Sequence, residues 1–241
     1  MTTLAQPPVT ARRTPKTRWW RRPWIGPLFL VAAVFLVLSV PRYLTLDPAQ
    51  SKIDPPKWFP PYYGFLVAHV LFASVAMVTC CMQIWPRLRS RHPRLHRVSG
   101  RVYVFGGVLP AGAASLVLGA TSPFGPVDGV GLMVMAPLWI TFTIAGFRAA
   151  RRKRFVEHRK WMIRSFTLTM SIIVNRIVAI PVAIGVFSGL KTVYHNDMRL
   201  AMYVTAGITA WLSWTLCLLV CEWYLGRGTA RRRARLDSST V

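Results

Sequence analysis

Long apolar runs alternate with short polar segments along almost the whole chain. A helix needs about 20 apolar residues to cross a hydrocarbon core of about 30 Å. Six runs approach or meet that length, at residues 25–40, 62–85, 102–120, 130–147, 161–187 and 200–225. The pattern predicts an all-α fold, a polytopic transmembrane helix bundle of six spans. The first run is the shortest and leans on Trp24 and Tyr43 to reach the interfaces. Its basic start and apolar middle resemble a signal peptide, but no A-x-A cleavage pattern follows, so it reads as a retained anchor.

The polar segments fall into two kinds. The Pro-rich stretch 41–61 with Asp47 and Asp54, the tight turn 121–129 and the connection 188–199 with His195 and Asp197 hold most of the acids. Residues 86–101, residues 148–160 and both chain ends are strongly basic, and these four lie on one side if there are six spans. Basic segments face the cytoplasm in membrane proteins, so both termini are expected there, in the cell inner (plasma) membrane. The chain divides into a disordered basic cytoplasmic tail (1–24), a six-helix membrane domain (25–225) and a second basic cytoplasmic tail (226–241).

Composition supports this picture. The chain is 53% hydrophobic and only 16% charged, with a mean hydropathy of +0.37, whereas soluble domains carry about 25% charged residues. A net charge of +24 would ordinarily suggest nucleic acid. Here the charge sits in short runs between apolar segments and no recognition motif accompanies it, so the expected partner is the bilayer with its anionic cytoplasmic head groups, and no nucleic acid. Cys80, Cys81, Cys217 and Cys221 lie in apolar runs without C-x-x-C spacing, and no metal site is expected. There is no nucleophile elbow, no H-E-x-x-H and no phosphate-cradling glycine loop, so nothing points to a hydrolase.

Two groups of polar residues could carry chemistry. The first lies at the cytoplasmic starts of the third and fifth spans, where His96-Arg97 with Arg101 and His158-Arg159 with Arg164 repeat one arrangement. Two spans separate them, so both histidines face the same leaflet. Paired imidazoles can hold a b-type haem, with arginines on its propionates; lipid anchoring of the same residues is the plainer reading. The second group is His69, Asn175 and Arg176, inside the apolar runs. His69 lies about 10 Å and Arg176 about 16 Å below the external face at 1.5 Å per residue, and an ionisable residue at such depth is a functional candidate. The one acid within a run, Glu222, lies at the cytoplasmic end of its run, falls near the level of Arg164 and suits an ion pair with it. Trp19, Trp20, Trp24, Trp58, Trp85, Trp161 and Trp223 read as interfacial anchors, and Trp139, Trp211 and Trp214 as packing.

Taken together, His69, Gln83, L-H-R-x-x-G-R-V-Y at 95–103 and H-R-x-W-M-I-R-S at 158–165 resemble the bacterial multi-pass membrane family catalogued as domain of unknown function 2306. Trp139 and Glu222 fit the same pattern, and the resemblance covers roughly residues 60–225. It implies a helical integral membrane protein and supplies neither an activity nor catalytic residues. Three functional readings follow from the residues: a membrane redox protein with b-type haem or quinone near His96 and His158, a transporter or binding protein for an anionic small molecule or lipid at Arg176, Asn175 and His69, and a non-catalytic membrane scaffold.

Overall fold

The structure is a computed structural model that describes residues 24–51 and 53–237, with side chains through residue 227. Residues 1–23 of the tail expected at 1–24 and the final residues 238–241 lie outside the described part. Among the described residues the regular structure is all helical. Six long helices are α1 (Ile25–Ser39), α2 (Tyr62–Ile84), α3 (Pro93–Ala120), α4 (Pro126–Arg151), α5 (Phe155–Ser188) and α6 (Met198–Asp237).

Five of these, α2 to α6, are long and apolar enough to cross a membrane. Helix α1 has 15 residues, about 22 Å at 1.5 Å per residue, which is short of the hydrocarbon thickness. It ends because Pro41 opens a separate short helix, Pro41–Leu44, immediately after it.

The basic segments are more helical than expected. Residues 86–101, read as a loop, form a short helix Pro86–Arg91 and then the first turns of α3. Pro86 and Pro93 each sit at a first helical position, where a missing N–H costs nothing. The basic loop 148–160 shrinks to residues 152–154, turning on Lys153 at φ +58°. The C-terminal basic segment, expected as a tail from residue 226, continues α6 as helix to Asp237.

Two of the turns between helices are closed by side chains. The Asp197 carboxylate accepts from the Leu200 N–H at 2.9 Å and caps α6, an N-cap arrangement worth about 1 kcal/mol. The Ser122 hydroxyl donates to Asp128 at 2.7 Å, beside Gly125 at φ +90°.

Sequential helices pack against one another. The α5–α6 contact is the most extensive, α4 touches α3, α5 and α6, and α1 lies at the periphery against α2. Two glycine approaches set these distances. A Cβ on Gly107 would fall 2.9 Å from Ala76 Cα, so α3 meets α2 backbone to backbone. A Cβ on Gly129 would fall 2.5 Å from the Gly119 carbonyl oxygen, where α4 crosses α3.

Helix α3 contains a π-turn at Val102–Val108. Pro110 has no N–H to offer the Gly106 carbonyl, and the ladder ahead of it widens, so that Leu109 N–H reaches back to the Val104 carbonyl. Tyr103 lies at the start of this turn and is 1% exposed.

Candidate functional site

The largest buried polar assembly joins α3, α4 and α5. The Tyr103 hydroxyl lies 2.5 Å from Ser165 Oγ and 2.8 Å from Thr169 Oγ1. Ser165 Oγ in turn lies 2.6 Å from Thr143 Oγ1. Thr143 Oγ1 is 2.7 Å from the Trp139 carbonyl oxygen, and Thr169 Oγ1 is 2.9 Å from the Ser165 carbonyl oxygen. Trp139 Nε1–H donates to Thr169 at 3.0 Å. All five side chains are buried.

The result is a chain of four hydroxyls, Thr143–Ser165–Tyr103–Thr169, strung between two helix carbonyls. Four hydroxyl protons serve its five gaps. If all donate in one direction, the chain ends on the Trp139 carbonyl; if all donate in the other, it ends on the Ser165 carbonyl. Every hydroxyl keeps a partner either way, as buried polar groups require.

This assembly is not among the sequence-based expectations. Tyr103 and Ser165 close the two His-Arg motifs, and Ser165 and Thr169 share a helix face at four-residue spacing. That shared face was the available signal.

Most other motif residues also bridge helices. Gln83 Nε2 on α2 donates to Ser99 Oγ at 2.6 Å and to the His96 carbonyl at 3.1 Å on α3. His69 Nδ1 on α2 donates to the Ala111 carbonyl on α3 at 2.9 Å. The ion pair expected between Arg164 and Glu222 is present and bidentate, Nε to Oε1 at 2.5 Å and Nη2 to Oε2 at 2.7 Å. It joins α5 to α6, with the guanidinium 4.8 Å from the Trp161 ring centroid. Arg164, also expected at a cofactor, thus gives two of its donor groups to Glu222.

The side chain of Glu222 is half exposed, which tempers the strength of the pair. A double-mutant cycle of Arg164→Ala and Glu222→Ala should return a coupling of about 1 kcal/mol in thermal unfolding. A coupling near zero would mean that the pair holds nothing together.

The two candidate histidines at the helix starts come within electrostatic range of each other, with Arg89 and Arg97 also near His96. His158 Nδ1 lies 2.8 Å from the Gly146 carbonyl. A carbonyl only accepts, so Nδ1 carries the proton, and in the neutral ring Nε2 is left with its lone pair. His96 Nδ1 is buried and has no hydrogen-bond partner. Arg97, Arg101 and Arg159 are exposed.

The second group is not gathered into a site. His69 is spent on Ala111, whereas Arg176 stands on an exposed face of α5 with Asn175 only partly buried beside it. Two apolar grooves lie elsewhere. One of about 240 Å³ is lined by Pro27, Leu28, Val31, Met170, Ile173 and Val174, and another of about 350 Å³ by Pro61, Gly64, Phe65 and Ala68. Among the described residues, no three His, Cys, Asp or Glu side chains are grouped so as to hold a metal ion.

None of the curated proteins and none of the solved structures matches the chain. Residues 66–225 do match a family, and they span α2 to α6 with every bridge described above. The chain belongs to the family described as predicted membrane protein, DUF2306.

Proposed function

We propose that this membrane protein is a redox protein that holds a b-type haem between His96 and His158, in a six-span inner-membrane topology with both termini cytoplasmic. The observation that carries the reading is the state of the two imidazoles. They lie within electrostatic range of each other; His158 is oriented through Nδ1 with Nε2 free, and His96 keeps a buried ring nitrogen without a partner. A backbone carbonyl holding one ring nitrogen while the other is left for a ligand is the usual setting of a ligating histidine.

The residues fit the group. His96 and His158 would hold the haem iron through their imidazoles, and Arg97, Arg101 and Arg159, unlike Arg164, remain available for its carboxylates. Bound there, the haem would supply one-electron transfer. The protein's own share is to orient His158 through Gly146, fix the α2–α3 spacing through Gln83 and brace α3 against α5 through Tyr103.

The test is the absorption spectrum of detergent-purified protein from cells supplied with haem precursor, oxidised and then dithionite-reduced. A Soret band and sharpened reduced bands should appear, and His96→Ala or His158→Ala should each remove at least about 90% of them. The gel-filtration profile should remain that of the folded protein. A featureless wild-type spectrum, or bands indifferent to both substitutions, overturns the reading.

A further inference from the structure

We propose that the exposed face of α5 around Arg176 docks a second, different membrane protein, one that brings a carboxylate to the middle of the bilayer. The depth of Arg176 points to this independently of the haem reading. Arg176 lies twelve residues past Arg164, the last charged residue before it on α5, and twelve residues before Ser188, where α5 ends. At 1.5 Å per residue that is about 18 Å from each, the centre of the apolar part of the helix, so Arg176 sits at mid-membrane.

The side chain does not turn inward. Arg176 is exposed and makes no hydrogen bond or ion pair among the described residues. Its surroundings are an apolar outer face, with Ile177, Ile180 and Ile184 at 63%, 63% and 67% exposure. One turn before Ile177, Ile173 helps to line the apolar groove between α5 and α1, where a neighbouring helix could seat a side chain. A cation facing hydrocarbon at this depth is unfavourable, and such residues occur where they pair.

Neither lipid nor a second copy supplies that pair. A fully extended arginine side chain reaches about 7 Å, too little to bring a guanidinium from mid-membrane to a phosphate about 18 Å away. The chain has seven acids: Asp47, Asp54, Asp128, Glu157, Asp197, Glu222 and Asp237. Six lie in loops or near helix ends and Glu222 lies at the level of Arg164, so another copy brings no carboxylate to the level of Arg176 in either orientation. Around a two-fold axis through this face, Arg176 would also meet its own like charge. A partner span with Asp or Glu near its centre satisfies the guanidinium, while its apolar residues cover Ile177, Ile180 and Ile184.

The test uses the tagged full-length chain, expressed in its own host and extracted in mild detergent. Wild type should run above its single-copy mass and carry a second chain in fixed ratio. Arg176→Leu should reduce the co-purified chain at least tenfold, whereas Arg176→Lys keeps it. Leucine is the residue lipid tolerates best there, so the Arg176→Leu protein should reach the membrane at wild-type level and unfold no more easily as a monomer. The second chain must have a mid-span carboxylate, and replacing that carboxylate with Lys must restore assembly with Arg176→Glu. Three results each overturn the proposal: a homodimer unaffected by Arg176→Leu, a single copy carrying only phospholipid, or a co-purified chain whose binding ignores the charge exchange.

Discussion

Tyr103→Ala should lower the stability of the purified protein by about 3–5 kcal/mol, the range for truncating a buried aromatic side chain. Tyr103→Phe should cost only about 1 kcal/mol. The difference follows from how the hydroxyl chain is wired. Removing the phenol oxygen leaves Thr169 donating to the Ser165 carbonyl and Ser165 donating to Thr143, so no buried donor is orphaned. Removing the whole ring opens a cavity where α3, α4 and α5 meet, in a residue 1% exposed. Chemical denaturation in detergent, followed by tryptophan fluorescence, measures both variants. Equal losses for the two would show that the hydroxyl, rather than the ring, carries the stabilisation.

Gly129→Ala is the second change with a large expected effect. The new methyl would come within 2.5 Å of the Gly119 carbonyl oxygen, a backbone atom that no rotamer change can move. Helices α3 and α4 must separate there, at a cost of about 2–3 kcal/mol. Gly64→Ala provides the control, because nothing lies within 4 Å of its added methyl. It should leave the midpoint unchanged or raise it slightly, since alanine favours helix over glycine by about 0.5–1 kcal/mol. Similar losses at both positions would refute the close crossing.

The sequence made five of the six expected spans legible because length and apolarity are one-dimensional properties, and the basic segments legible because they punctuate the apolar runs. The Arg164–Glu222 pair was legible for a related reason, as counting residues from the helix ends placed both at one depth. Direction around a helix was much less readable. Helix α5 is apolar on nearly every side, so no periodic stripe revealed that Arg176 faces outward rather than toward His69. The hydroxyl chain was hidden differently. Ser and Thr in an apolar run can bond the carbonyl four residues back, as Thr167 and Thr205 do, and nothing local separates those from Thr143 or Ser165. The basic stretch 93–101 looked like a loop because charge outweighed helix propensity in the reading, whereas Pro93 at the first helical position marked a start.

The hydroxyl chain also gives the bundle interior an electrical property that hydrocarbon lacks. Its four O–H dipoles can reverse together by rotation about their C–O bonds, with every heavy atom staying in place. The fixed amide dipoles of the surrounding helices cannot do this. A charge appearing at one end of the bundle would therefore meet a responsive dipole between α3 and α5, which raises the local polarisability at the core of an otherwise low-dielectric body. Replacing Ser165 with alanine would divide the chain into two short pieces, each with a fixed direction, and leave the packing around it nearly unchanged.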